Sequence, residues 1–216
     1  MVVVDPKIFA RTERLLLRPL RVEDAADVLL MRRHPEVMKH TSLLPCNDIE
    51  ATKAWIQGCH AVPGNWNFSI VLLAPHSGPH VIGLIGAVRA PEIGYMFNAA
   101  YWGNGYATEA LRAFMPLFFK HYSGREIASY ECADVGDEKD EAGHGDKHAN
   151  GMAPRFEYAE ALTDTELVPS QNVLIKVGFR LHEKREKDFE NPVLGWRDTL
   201  VYRMYRPDAN KDDAML

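Results

Sequence analysis

Two glycines flank an asparagine in Tyr101-Trp102-Gly103-Asn104-Gly105-Tyr106, and an amphipathic run follows at once. The first four N–H groups of a helix have no acceptor within it, and the helix dipole adds roughly half a positive charge at the same end. Glycine carries no Cβ, so an anion can come close to the backbone. A β-like run at 92–97, then Trp-Gly-Asn-Gly, then a helix is therefore a cradle for phosphate. Ala107, Ala110, Leu111, Phe114, Phe118 and Tyr122 recur at helical spacing and predict the buried face of that helix. Pro116 inside it predicts a kink or an early weakening. Two familiar nucleotide signatures fail. The dinucleotide fingerprint wants Gly or Ala where Thr108 stands, and the Gly-Lys-Ser/Thr of a P-loop is missing. A nucleotide oxidoreductase is thus a remote reading, and two glycines alone also suit a plain turn.

Around this motif the chain reads as alternating short strands and helices. Leu15, Leu16, Leu17 and Leu20 predict a strand near 14–20, and the apolar spacing of 22–33 predicts a helix that Pro35 stops. Asn47 and Asp48 suit the cap of a second helix near 48–60, with Ile49, Ala51, Trp55 and Ile56 on its buried face. Runs at 66–74 and 80–88 flank a Pro-His-Ser-Gly-Pro turn and predict a hairpin. Further strands are expected at 92–97, 155–162, from 179 and at 198–205, with a helix near 169–177 ending at Gly178. The order β-α-α-β-β-β-α-β-α-β-β predicts an α+β (α/β) fold, one mixed sheet with helices on its faces.

The 216 residues are 46% hydrophobic and 25% charged, an ordinary globular balance with enough chain for a proper core. Three separated cysteines argue against a disulfide framework. No stretch approaches the roughly 20 apolar residues of a membrane span, and no secretory leader is read at the start. Cytoplasm is the expectation, with the nucleus left open. Residues 134–150 carry −4 of the net −5, so the remainder is close to neutral and shows no basic nucleic-acid footprint. Residues 123–154 predict a flexible acidic insert and 207–216 a disordered tail. Cys46, Cys59 and His60 lack zinc spacing, and His144, Asp146 and His148 fall in the glycine-rich insert, so no metal is expected. Cys132 is a conceivable covalent nucleophile, but it lies beyond the ordered pattern. Trp55, Trp66 and Trp196 suit either the core or an acceptor pocket.

Glu-Ile-Gly-Tyr at 92–95, Trp-Gly-Asn-Gly-Tyr-Ala-Thr-Glu-Ala at 102–110 and Ser-Gln-Asn-Val-Leu-Ile-Lys-Val-Gly-Phe at 170–179 together resemble the GNAT acetyltransferase superfamily, in its ribosomal-protein N-acetyltransferase-like branch. Residues 11–25 and 196–204 also fit, so the resemblance covers about 11–206 apart from the insert. It implies a single domain with a mostly antiparallel mixed sheet, helices on both faces, and one splayed parallel strand pair. Acetyl-CoA would lie in the splay. Its arm would pair with backbone at Tyr95, Met96 and Phe97, and its pyrophosphate would rest on the amides of Trp102, Gly103, Asn104, Gly105, Tyr106 and Ala107. Asn104 stands where relatives often carry lysine, which removes one favourable charge.

Acyl transfer from a thioester needs a neutral amine, donors for the oxyanion and a proton for the thiolate; lysine-like amines, α-amines and thiols titrate near about 10.4, about 7.7–8.0 and about 8.5. A strand N–H near Tyr95–Phe97 is the expected oxyanion donor. The tyrosine many relatives use as the acid falls at Leu174, so the resemblance implies Ser170 as the donor to sulfur. Ser170 also suits a helix cap. Leu167 replaces a common cofactor-contacting asparagine, with Asn172 a nearby substitute. Glu92 and then Glu160 are candidate bases, each with a surface carboxylate as its alternative. The expected reaction is direct acetyl transfer, in a ternary complex, to a primary amine of a small molecule or protein N-terminus. The protein would act as a monomer or homodimer without nucleic acid, membrane or metal. The alternative is a non-catalytic acyl-CoA-binding sensor or scaffold. An acceptor pocket built from loop 34–47, the second helix and the last two strands is expected.

Overall fold

Residues 9–62, 65–74, 77–124 and 154–207 are described by a computed structural model. The sequence alternation settles the sheet. Leu15 and Leu17 of β2 (Leu15–Pro19) point to one face, and Arg18 to the other, where its two terminal guanidinium nitrogens donate to Asp24 at 2.6 and 2.8 Å. A short β1 (Ala10–Arg11) pairs outside it. The predicted hairpin is β3 (Trp66–Leu72) and β4 (Val81–Arg89), antiparallel, and β5 (Glu92–Phe97) pairs antiparallel with β4. Then come β6 (Tyr158–Asp164), β7 (Arg180–Asn191) and β8 (Gly195–Tyr205). The described strands form one eight-stranded sheet in the order β1-β2-β3-β4-β5-β6-β8-β7, antiparallel at every junction except β5–β6.

Helices cover both faces. On one side lie α1 (Ala25–Arg32), the short α2 (Pro35–Met38) and α3 (Ile49–Ala61), packing Val28, Met31 and Ile56 against Val81 and Leu84 of β4. Pro35 ends one helix and also starts the next, as its fixed φ and missing N–H allow in a first turn. Asp48 caps α3, its carboxylate accepting from the N–H groups of Glu50 and Ala51. Ala51 itself faces solvent, and Thr52 takes the buried place expected for it. On the other side lie α4 (Tyr106–His121) and α5 (Val168–Val177). Phe114, Phe118 and Tyr122 pack with Trp66 and Phe68 into the larger core. Pro116 points outward, and α4 continues five residues past it.

The strand expected at 155–162 is shifted to Tyr158–Asp164 because Arg206 holds the preceding segment differently: its guanidinium donates to the carbonyls of Phe119, Tyr122 and Phe156. Ser123 and Arg155 form an isolated antiparallel bridge at the root of the expected insert. Most of that insert, with Cys132, His144, Asp146 and His148, and all but the first residue of the expected tail lie outside the described residues. No described helix is long and apolar enough to cross a membrane.

Candidate active site

The parallel junction is short. Glu92 pairs with Glu160 and Ile93 with Ala161, and the ladder ends there. Gly94–Phe97 stay bonded to β4, and Leu162–Asp164 stay bonded to β8, so the two strands run on without pairing each other. Backbone groups along such a gap need another partner. A side chain in the gap is also unmet: Thr163 Oγ1, on the unzipped part of β6, is buried with no hydrogen-bond partner among the described residues. Ile93, Phe97, Ala159 and Ala161 face the α4–α5 core, whereas Met96 packs on the α1–α3 side, so the gap opens between the two helical layers.

Beyond β5 a 3-10 turn, Ala99–Tyr101, leads into the glycine motif. Gly103 and Gly105 have φ of 76° and 78°, left-handed values that an L side chain adopts only at a cost. Gly105 is the N-cap of α4 and has no side chain to cap it. The amides of Gly103, Gly105, Tyr106 and Ala107 find no acceptor among the described residues, which leaves the helix mouth open as a cradle. Trp102 departs from expectation. Its N–H is used by the Ala99 carbonyl at 3.2 Å, and its indole Nε1 donates to the Phe97 carbonyl at 2.9 Å. The helix-mouth amides without an acceptor among the described residues therefore begin at Gly103, and by alternation the backbone of Tyr95, not that of Met96, faces away from β4. Asn104 turns inward, its amide donating to the carbonyls of Tyr101 and Trp102.

A guanidinium reaches this turn from elsewhere, already paired with a carboxylate. Arg14, after β1, donates to the Asn104 carbonyl at 3.1 Å and lies 4.6 Å over the Tyr106 ring. Its Nε donates to Glu109 at 2.7 Å, and Thr12 adds a 2.5 Å bond to the same carboxylate. Burial raises the Glu109 pKa, but these bonds from Thr12 and Arg14 outweigh it and leave it lowered. A groove of about 610 Å³ runs from Gly105 and Thr108 past Arg14, Arg112 and Lys176. Arg14 lies in the N-terminal segment whose resemblance was noted, but no local pattern ties it to a motif ninety residues away.

Ser170 sits at the third position of α5, not at its cap, which is Leu167. The Tyr95 hydroxyl crosses to meet it: Oη is 2.8 Å from Ser170 Oγ and 3.2 Å from the Ser170 carbonyl. Burial pushes the Tyr95 phenol up to about 12, against the pull of the Ser170 bond, so it stays protonated at neutral pH. Tyr95 was expected to contribute backbone alone; its side chain is a donor that alternation along β5 could have located. Leu174 is buried in the α4–α5 core. Asn172 is exposed on α5 and makes none of the hydrogen bonds found, whereas Gln171 donates to the carbonyls of Asp164 and Thr165.

Glu92 and Glu160 stand side by side at the zipped end of the parallel pair, each holding an arginine: Arg89 for Glu92 at 3.0 Å and Arg203 for Glu160 at 2.7 Å. Further along β6, Asp164 is fully buried and accepts two bonds from Arg197, at 2.8 and 2.9 Å, and one from the Glu166 N–H at 2.7 Å. The Arg197 bonds, against burial and with help from Glu166 and His40, hold its carboxyl at about 2. His40 Nδ1 lies 3.3 Å from Asp164. Of the tryptophans, Trp66 is core, Trp55 is half-buried beneath Arg32, and Trp196 is 60% exposed on the β7–β8 hairpin. No group of three His, Cys, Asp or Glu among the described residues is arranged to hold a metal. Cys46 and Cys59 are free thiols, and burial pushes that of Cys59 up to about 11.

Residues 14–180 match the family described as acetyltransferase (GNAT) domain. An uncharacterized N-acetyltransferase, p20 of Bacillus licheniformis, is 32% identical over 117 residues, which are 50% of this chain and 64% of that protein. The chain thus matches slightly less than two thirds of that relative's length. Among solved structures, a GNAT-family acetyltransferase from Bacillus anthracis superposes with a TM-score of 0.66 at 22% identity, covering 92% of this chain and 98% of that one. The microcin C7 self-immunity acetyltransferase MccE, solved with acetyl-CoA and AMP, gives 0.64 at 13% identity, covering 90% and 94%.

Proposed function

Because the chain belongs to the GNAT acetyltransferase family and is an acyltransferase, we propose that it moves the acetyl group of acetyl-CoA directly onto a primary amine of a small molecule or a protein N-terminus. The observation that carries this reading is the two-residue parallel pairing of β5 and β6, followed by a gap whose far side holds the joined hydroxyls of Tyr95 and Ser170.

The residues suit each part of the substrate. The amides of Gly103, Gly105, Tyr106 and Ala107 hold the pyrophosphate, helped by the α4 dipole. Arg14, paired with Glu109, braces the turn through the Asn104 carbonyl. The outward backbone of Tyr95, with Thr163 Oγ1 on β6, pairs with the amides of the pantetheine arm. A β5 N–H near Tyr95 receives the oxyanion. Ser170 gives its proton to the departing sulfur, and Tyr95, protonated up to about 12, stands behind it as a reserve donor. The acceptor enters from the α1–α3 side, bounded by the loop after α2 and the β7–β8 hairpin.

The test is a thermal-shift titration with acetyl-CoA, followed by detection of free thiol with α-amine peptides, polyamines and aminoglycosides. Stabilisation of about 2.7 kcal/mol is expected at a hundredfold excess over Kd, with CoA released when the right amine is present. No stabilisation at millimolar acetyl-CoA sinks the reading. Stabilisation with no thiol released from any amine returns the sensor or scaffold alternative.

A further inference from the structure

We infer that His40, set in place by Asp164, accepts the proton of the incoming amine. The inference rests on the acetyl-transfer reading above and names its missing base. Asp164 is the last residue of β6, three positions past the final rung with β5. Ala159 and Ala161 point into the α4–α5 core, so by alternation Asp164 projects to the α1–α3 side, where His40 meets it. Ser170 and Tyr95 lie on the other side of the same gap. Acetyl transfer must take a proton from nitrogen and supply one to sulfur. Here a proton acceptor and a proton donor flank one opening.

The histidine is held with unusual care for a loop residue. Asn191, almost fully buried at the end of β7, donates both amide protons, at 2.9 Å to the Lys39 carbonyl and 3.0 Å to the Thr41 carbonyl. Those are the two neighbours of His40. The ring is 13% exposed, and its Nδ1 is 3.3 Å from Asp164 Oδ2 without the alignment of a hydrogen bond. Catalytic contacts are often loose before substrate arrives. With Nδ1 turned to a carboxylate, Nε2 is the atom left to take a proton. The charges around the ring are Asp164 and Arg197 on the sheet, Glu166 bound to Arg197, and Lys39 with Glu36 on its own segment. Arg197 is matched by two carboxylates, so Asp164 can still offset an imidazolium. Glu92 and Glu160 spend their oxygens on arginines at the closed end.

In the step proposed, an ammonium gives one proton to Nε2, and the neutral amine forms the C–N bond as the C–S bond breaks. The second nitrogen proton leaves to water, the sulfur takes its proton from Ser170, the serine regains one from solvent through the Tyr95 hydroxyl 2.8 Å away, and the imidazolium returns its own to solvent.

His40→Gln and His40→Ala are compared with wild type across about pH 6 to about pH 10, using acetyl-CoA and the amine found in the screen. Both variants are expected to keep the full acetyl-CoA thermal shift. The kcat/KM of His40→Gln should fall about 100-fold near neutrality, the gap narrowing as pH rises and the amine loses its proton unaided. Added imidazole should restore part of the His40→Ala rate. Turnover within about threefold of wild type at every pH overturns the proposal, as does a loss of acetyl-CoA stabilisation in step with turnover. Wild-type protein that binds acetyl-CoA but acetylates nothing overturns the underlying reading, and the base falls with it.

Discussion

The Tyr95 and Ser170 hydroxyls share a 2.8 Å contact in which either can donate. Only one arrangement is useful: Tyr95 donates into Ser170 Oγ, and the serine proton turns to the gap. Removing the serine hydroxyl leaves the fold nearly untouched, since Ser170 is not the cap of α5. Ser170→Ala should therefore lower kcat by about 10- to 100-fold with the acetyl-CoA thermal shift unchanged. Tyr95→Phe should cost about 1 kcal/mol of stability and a smaller part of kcat. Steady-state thiol release beside thermal melts checks both. A loss confined to KM, with a weakened shift, would mean that the pair grips the donor and does not serve the proton. Residue alternation reveals that Tyr95 points to the α5 side, but the length and direction of the α5 approach set the 2.8 Å, and no spacing encodes that. The His40–Asp164 contact is harder still: the partners are 124 positions apart and meet through Asn191 and Arg197, which belong to no motif.

The entry to α4 is the element most plainly written in the sequence. Trp-Gly-Asn-Gly followed by apolar residues at helical spacing predicts the turn, the helix start and its buried face, and all three are found. A Cβ at Gly105 would meet only Arg14 Nη2 at 3.6 Å, so space is not the obstacle; the φ of 78° is. Gly105→Ala should cost about 1–2 kcal/mol and weaken acetyl-CoA binding, because relaxing φ turns the open amides away. Chemical denaturation and the thermal-shift midpoint read the two effects separately, and an unchanged acetyl-CoA affinity would remove the cradle from the account. Other elements were less legible. The hairpin of β7 and β8 outgrows the expected strands at its tip, where residues 187–191 and 195–197 are mostly polar and exposed, and the pairing is maintained by backbone bonds and ion pairs such as Lys184–Asp198. The start of β6 moved because Arg206, fifty residues away, claims the Phe156 carbonyl. Local pattern carries no trace of either.

Across the molecule three acidic side chains tie separate layers together. Asp24 joins the turn before α1 to Arg18 of β2 and Ser69 of β3; Glu109 joins α4 to the segment after β1; Asp164 joins the loop after α2 to β6 and β8. All three have lowered pKa values: burial opposes the bonds to Asp24 and Glu109, and the Arg197 bonds lead at Asp164. A depressed folded pKa stabilises above the unfolded value, near about 4, and that stability is lost as pH falls through the folded value. For Asp164, at about 2 when folded, the share is about 2 kcal/mol, fading between about pH 4 and about pH 2. Melting curves should therefore drop steeply below about pH 4, and Asp164→Asn should be less stable at neutral pH with a flatter acid limb. A mutant limb as steep as the wild type's would deny Asp164 that part.

The two rungs between β5 and β6 carry a consequence for the order of events. Backbone bonding between the plate β1–β5 and the plate β6–β8 is confined to one end of their common border. Under the proposed function, a thioester arm in that slot would supply the missing strand and complete the floor on which the amine must rest. An amine arriving first would find that floor split beneath it, so the donor is predicted to bind before the acceptor, an order that product-inhibition kinetics would check.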